Sequence, residues 1–347
     1  MMYVGIDLHR KRSHITAMDE QGHVTLSRRI DNDPDLVREL LTEVGPKARV
    51  ALEATYGWDW LADLLEAEGH DLRLAHPLGT RAIAAARVKT DAVDSRTLAH
   101  LLRADLLPEA YLAPAELRDL RELLRLRIFL TRLRTGTKNR VHAALARHGL
   151  SCPRADLFGV AGRAWLVEAP LRPEPRRRVD ALCRVVDDLE REIDALAAEI
   201  DERADADPRV QALMAIRGIG RYTAMLICAE VGPVERFPTA RHLCAWAGLT
   251  PTIRSSDGKA RLGHISRQGS PALRWALVEA AQKAVQGGGP LRASFERIAR
   301  RRGRKIAKVA VARRILTLCF YGLRDGQIRC LTPQGQASTS RVAAGAH

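Results

Sequence analysis

What the N-terminal part of this chain can fold into is constrained most by one short stretch, Tyr3-Val4-Gly5-Ile6-Asp7-Leu8, in which apolar side chains alternate with Gly5 and Asp7. A period of two marks a strand with one face in a core. The same stretch carries an anomaly. Asp7 lies inside an apolar strand, where a carboxylate is costly to bury unless a metal ion or a hydrogen-bond partner meets it. Two more candidate strands, 14–18 and 24–30, flank the turn signal Glu20-Gln21-Gly22, so three consecutive antiparallel strands are expected. Asp31-Asn32-Asp33-Pro34 then supplies a helix cap, and Leu36, Leu40, Leu41 and Val44 follow at helical spacing until Gly45-Pro46. A strand at 49–54, a helix at 58–68, a strand at 71–75 and a helix at 91–103 complete the order βββαβαβα.

Beyond this α/β unit the pattern becomes helical. Residues 115–150 are nearly free of Pro and Gly and periodic in Leu, which predicts one or two long helices with a basic face made of Arg118, Arg121, Arg125, Arg132, Lys138 and Arg140. After Pro170, Pro173 and Pro175, the residues Val179, Leu182, Val186, Leu189, Ile193, Leu196 and Ile200 are spaced alternately three and four apart, a heptad seam. Such a seam suits a helical hairpin or an intersubunit coiled coil, and equally an amphipathic helix packed on its own domain. From about residue 210 a smaller, mostly helical region ends in a basic helix carrying Arg300, Arg301, Arg302, Arg304, Lys305 and Lys308. Four parts are expected: 1–108, an α/β domain; 109–205, a helical coiled-coil segment; 206–330, a mostly α domain; and 331–347, a small, polar, disordered tail.

The charge narrows the partners. Lys and Arg number 56 against 41 Asp and Glu, a formal net charge of +15, and such an excess argues for a polyanion. No charge-free apolar run approaches the ~18–20 residues that span a bilayer, and no basic, then apolar, leader opens the chain, so a cytoplasmic, prokaryotic, nucleoid-associated protein is expected rather than a membrane one. Six cysteines stand singly with no C-x-x-C pair, which suggests reduced thiols rather than a zinc ribbon or a disulfide framework.

Four carboxylates invite chemistry. Glu53 repeats the oddity of Asp7 at the end of Val50-Ala51-Leu52, and Asp91 and Asp94 share one face of a helix. Acids from two strands and one helix are what a two-metal phosphoryl-transfer site needs, with Mg²⁺ ions ~3.5–4 Å apart at the attacking and leaving oxygens. An Asp in the first strand of a βββαβαβα unit is also how an RNase H-like fold begins its site. Further on, Arg217-Gly218-Ile219-Gly220 has the glycine spacing of a helix-hairpin-helix, whose amides hold a phosphate without reading sequence; an ordinary helix–helix turn fits as well. The segment 248–259 reads as a polar, glycine-bearing loop with adjacent Ser255 and Ser256, flanked by Arg254, Lys259, Arg261 and Arg267. A serine there is either a turn former or a nucleophile beside cations that stabilise a phosphoryl transition state.

Taken in order, Tyr3-Val4-Gly5-Ile6-Asp7, Leu52-Glu53-Ala54-Thr55, Lys89-Thr90-Asp91-Ala92-Val93-Asp94, Gly218-Ile219-Gly220, Gly248-Leu249-Thr250-Pro251 and Gly263-His264-Ile265-Ser266-Arg267-Gln268-Gly269-Ser270, followed by Leu273-Arg274, resemble the DEDD transposases of the insertion-sequence one-ten family. The resemblance implies a RuvC-like (RNase H-fold) domain joined by a coiled-coil segment to a transposase domain with a catalytic serine. Position by position it implies Asp7, Glu53, Asp91 and Asp94 as Mg²⁺ ligands and Ser256 as nucleophile, with Ser255 the lesser candidate because Asp257 stands before Gly258 where many members read Ser-Gly directly. Arg217 stands where a proline often opens the turn. Double-stranded DNA, a structured bridge RNA and a homo-oligomer, dimer or tetramer, are the implied partners, and a 5′-phosphoserine intermediate is the implied chemistry. A metal-dependent nuclease of the junction-resolvase kind would use the same acids without the serine. A non-catalytic nucleic-acid-binding protein would leave Asp7 and Glu53 unexplained, and an actin-like kinase would need glycine-rich phosphate loops that the sequence lacks.

Overall fold

The computed structural model describes residues 1–83, 90–256, 259–328 and 330, with the backbone alone at 254–256, 259–260 and 262. Lys89 of the Lys-Thr-Asp motif, Asp257, Gly258 and the expected tail at 331–347 lie outside the described residues. The chain divides into two compact units, Met1–Ala115 and Glu116–His347.

In the first unit the strands are β1 (Tyr3–Leu8), β2 (Arg12–Met18), β3 (Val24–Asp31), β4 (Arg49–Glu53) and β5 (Asp71–Ala75), and the helices are α1 (Pro34–Val44), α2 (Asp59–Ala67), α3 (Pro77–Ile83) and α4 (Asp91–Arg103). They form one five-stranded sheet in the order β3-β2-β1-β4-β5. β2 runs antiparallel to both of its neighbours, β1 and β3, while β4 lies parallel to β1 and β5 parallel to β4. The expected βββαβαβα order holds with the short α3 added, a mixed α/β arrangement that suits an RNase H-like DEDD domain.

The alternation in β1 decides what each face meets. Val4, Ile6 and Leu8 join Val50, Leu52, Leu40, Leu41, Leu61 and Leu65 in a core beneath α1 and α2. On the opposite face Ala51 and Ala75 pack against Leu98 and Leu102 of α4, and each of these leucines contributes about 2 kcal/mol by leaving water. Gly5 belongs to this second face. A Cβ there would sit 2.0 Å from the Ser95 carbonyl oxygen and 2.6 Å from the Ala99 amide nitrogen, so α4 lies on the bare backbone of β1. Buried Ser95 completes the seam: its Oγ donates to the Ala92 carbonyl and lies 2.8 Å from Thr16 Oγ1 and 2.9 Å from His14 Nδ1.

The second unit contains α5 (Ala115–Ala146, whose first residue closes the first unit), α6 (Val160–Glu168), α7 (Pro173–Asp205), α8 (Pro208–Met214), α9 (Arg221–Val231), α10 (Ala240–Trp246), β6 (Pro251–Ser256), β7 (Lys259–Ile265), α11 (Pro271–Ala284), α12 (Pro290–Arg302) and α13 (Arg304–Asp325). The region at 115–150 forms a single helix of 32 residues. Proline occupies one of the first two helical positions of α7, α8, α11 and α12, where its missing N–H costs nothing. The core is built round α9, whose residues 224–231 are all buried, with Ala276, Leu277 and Ala280 of α11 and Ile315, Leu316 and Cys319 of α13 in the same cluster.

Along the seam of α7, Val179, Val186, Ile193 and Ile200 are buried, whereas Leu182, Leu189 and Leu196 are half-buried. The two long helices run antiparallel: Val141 shares a cluster with Val179, Lys138 Nζ donates to Glu190 at 2.7 Å, and Leu124 shares a core with Ile200. Within the segment 248–259, expected to be a loop, Pro251–Ser256 is instead the strand β6, paired antiparallel with β7, which begins at Lys259. The β6 sequence, Pro251-Thr252-Ile253-Arg254-Ser255-Ser256, does not alternate apolar with polar, and Ile253 is 64% exposed. All six cysteines are free. Cys228, Cys244 and Cys319 are buried, and desolvation raises each thiol, Cys228 to about 12, which leaves them inert at neutral pH.

Candidate active site

In the first unit β1 and β4 are parallel neighbours in the register Ile6 with Leu52. Asp7 and Glu53 follow those residues at the carboxyl ends of adjacent strands, where open α/β sheets bind their ligands. The N-terminus of α4 supplies the other two acids. Thr90 caps that helix by accepting from the Val93 amide, and Asp91 and Asp94 occupy its first turn, where the helix dipole favours negative charge.

The acids do not converge equally. Asp7 is only 7% exposed. His9 Nε2 lies 3.3 Å from Asp7 Oδ2 and 3.2 Å from Asp91 Oδ1, and the ligand atoms of these three residues lie within 4.8 Å of one another. Among the described residues this is the one such group of His, Cys, Asp or Glu, and it includes neither Glu53 nor Asp94. Two carboxylates brought together, one of them buried, repel unless a cation lies between them, so the donor set fits a divalent metal ion. A reading for acids alone passes over His9, yet the sequence holds a signal for it: His9 stands two residues after Asp7, one strand period on, with Leu8 turned into the core. Beside the cluster, His14 is held below its ordinary imidazole value. Burial is the main cause, opposed by the Asp91 carboxylate and reinforced by Arg29 and Arg96.

In the second unit the turn between α8 and α9 shows what its glycines do. Gly218 has φ +94°, and a Cβ there would come within 2.4 Å of the Ala280 carbonyl oxygen, so its bareness serves the approach of α11. Gly220 is exposed, has open space round its Cα and opens α9 without a side-chain cap. Arg217 is exposed as well, with its guanidinium lying along Gly287.

In the hairpin, Arg254 pairs with Arg261 and Ser256 with Lys259, while Ser255 pairs with Ala260. Partners across an antiparallel pair and alternate positions along it share a face, so positions 254, 256, 259 and 261 fall on one face and 255 on the other. The side chains of Arg254, Ser256 and Lys259 themselves lie outside the described residues. Arg267 is exposed at φ 57° just after the hairpin. Arg274, to which the sequence assigned no role, ties that base together by donating from Nη1 to the carbonyls of Ala247, Gln268 and Gly269.

The cations of the long helices divide into two kinds. On α5, Arg121 donates to the Ala229 and Glu230 carbonyls, Arg125 grips the buried Glu230 carboxylate at 2.8 and 2.9 Å, and Lys138 holds Glu190. On α12 and α13, Arg300, Arg301, Arg302 and Lys305 are exposed, and none of the four makes an ion pair among the described residues. Arg132 and Arg140 of α5 are exposed too and make no ion pair among the described residues, so they and the second set are both available to a polyanion.

Two family models match this chain: a DEDD transposase model of the IS110 type over residues 4–149, and one described as transposase IS116/IS110/IS902 family over residues 210–296. The first span holds Asp7, His9, Glu53, Asp91 and Asp94, and the second holds the 217–220 turn and the hairpin. A probable family 20 transposase of Pseudomonas aeruginosa is 29% identical, with 82% of this chain and 84% of that protein covered. The transposase for insertion sequence element IS1328 of Yersinia enterocolitica is 28% identical over the same shares. An uncharacterized protein of insertion element IS110 from Streptomyces coelicolor is 26% identical, covering 94% of both chains.

Proposed function

Because this chain belongs to the IS110 family of DEDD transposases and is a DNA transposase, we propose that it excises and inserts its insertion sequence by joining acid-centre chemistry to serine chemistry. The observation that carries the proposal is the convergence of Asp7 and Asp91 at the strand ends and the start of α4. The family implies use of a divalent metal, and Asp7, Glu53, Asp91 and Asp94 would hold Mg²⁺, as two ions, whose Lewis acidity would neutralise charge on the transferring phosphoryl group.

The remaining steps belong to the chain's own groups. Ser256 Oγ gives up its proton and bonds to phosphorus; the P–O3′ bond breaks, the 3′ oxygen takes up a proton, and a 5′-phosphoserine remains. A 3′-hydroxyl of the exchanged strand then attacks the same phosphorus and releases Ser256 as a hydroxyl. The hairpin register supports Ser256 over Ser255, since it puts Ser256 on the face shared with Arg254, Lys259 and Arg261. Those three and Arg267 would balance the phosphate charge. Arg217 and the amides after Gly220 would hold backbone nearby, with Gly218 shaping the turn in helix-hairpin-helix fashion.

An element-encoded bridge RNA would select donor and target DNA, in keeping with the basic charge and the family resemblance. The half-buried Leu182, Leu189 and Leu196 of α7 offer a coiled-coil seam for a homo-oligomer, dimer or tetramer. Among the described residues no helix is long and apolar enough to cross a membrane.

A plasmid excision and insertion assay in cells tests the reading. Asp7→Asn and Ser256→Ala should each abolish both reactions, and full activity of Ser256→Ala would remove that serine from the mechanism. Metal-dependent DNA cleavage by Ser256→Ala would instead mark a junction-resolvase-like nuclease. For the guide, sequencing of RNA that co-purifies with the protein should return one defined species from beside its own gene.

A further inference from the structure

The proposed centre has four acids, yet the structure sets a nitrogen among them. We propose that His9 is itself a metal ligand, through Nε2, and makes the centre select a first-row transition ion such as Mn²⁺ over Mg²⁺. This rests on the proposed metal centre and adds its donor set and selectivity.

Three observations carry it. His9 Nε2 is 3.3 Å from Asp7 Oδ2 and 3.2 Å from Asp91 Oδ1. Neighbouring donors to one such ion stand about 3 Å apart, as His9 does from each acid, and the ligand atoms of Asp7 and Asp91 lie within 4.8 Å of each other. The His9 side chain is 55% exposed against 10% for that of Asp7, so the imidazole lies on the solvent side of the buried acid. Among the described residues, the group of His, Cys, Asp or Glu whose ligand atoms lie within 4.8 Å of one another is Asp7, His9 and Asp91, so His9 is its third member.

The selectivity follows from ligand chemistry. Mg²⁺ prefers oxygen donors and loses water reluctantly, whereas an imidazole nitrogen favours the borderline ions of the first transition row. Replacing one oxygen donor by Nε2 therefore weakens the preference for Mg²⁺ without closing the site to it.

Titration of the full-length protein with Mn²⁺, followed by electron paramagnetic resonance, and with Mg²⁺ by competition, tests this. Wild type should bind Mn²⁺ at least about tenfold more tightly than Mg²⁺, and His9→Ala should lose about tenfold in Mn²⁺ affinity while Mg²⁺ affinity stays nearly constant. The bound Mn²⁺ should show coupling to a directly bonded nitrogen in wild type and none in His9→Ala. Absence of nitrogen coupling in wild type overturns the proposal whatever the variant does. So does a His9→Ala protein that binds both ions more tightly, since the ring would then only block the site. Asp7→Asn separates the two levels: unchanged Mn²⁺ binding in that variant would overturn the metal centre itself, whereas loss of binding there with a silent His9→Ala would overturn only the role of His9.

Discussion

Gly5 links a single hydrogen atom to the chemistry. A methyl group there meets the α4 backbone at 2.0 Å, so Gly5→Ala must push α4 away from β1, and with it Asp91 away from Asp7. We expect a stability loss of about 1–3 kcal/mol, read by thermal unfolding, together with weakened Mn²⁺ binding. Retention of full metal affinity would contradict the assembly of the centre across this seam. Gly218→Ala should cost about 2 kcal/mol or more, because it adds a side chain at φ +94° and 2.4 Å from a carbonyl. Arg125→Ala leaves Glu230, 3% exposed, without its bidentate partner; since Arg125 is itself half exposed, the expected cost in denaturant unfolding is about 2 kcal/mol, below that of a fully buried pair. At this scale Asp7 was legible, because a carboxylate in an apolar alternation is conspicuous. His9 was only weakly so: it stands one strand period after Asp7, but nothing in the sequence shows that the fold carries Asp91 up to it.

At the scale of elements, legibility followed the size of the core each element feeds. Helix α4 was readable to its ends, Asp91–Arg103, because Thr90 caps it and Leu98 and Leu102 mark its buried side. The β6–β7 hairpin was not, because Arg254-Ser255-Ser256-Asp257-Gly258-Lys259 carries the polar and glycine signals of a turn and no apolar alternation. The basic helices were readable as basic but not as to use. Arg121 and Arg125 of α5 are spent on the end of α9, where guanidinium groups meet the last carbonyls of a helix and its negative dipole end. The α12–α13 corner is different: residues 290–308 hold eight Lys or Arg and one Glu. Converting Arg300 and Arg301 to Glu should therefore weaken DNA binding, with little change in melting temperature. The slope of affinity against salt should fall by about one unit for each phosphate that these side chains neutralise in the wild type. The same reversal at Arg121 and Arg125 should instead lower the melting temperature.

For the whole molecule, the net charge of +15 pointed only to a polyanion. The structure separates two demands on that charge. Exposed cations on α12 and α13 suit a phosphate backbone, and the acids at the sheet ends of the first unit suit the cation that lets a polyanion react there. Binding should accordingly weaken steeply with salt, whereas strand transfer should depend on the divalent ion. The central claim is that acid centre and serine act in one reaction. Trapping the protein on 3′-labelled element ends, the label staying on the strand that keeps the 5′ phosphate, and mapping the adduct by mass spectrometry tests it most directly. A DNA-linked phosphoserine at Ser256 is expected that forms only with divalent metal and is absent from Ser256→Ala and Asp7→Asn. DNA cut by wild type with no covalent adduct, or an adduct that survives in Ser256→Ala, would contradict it.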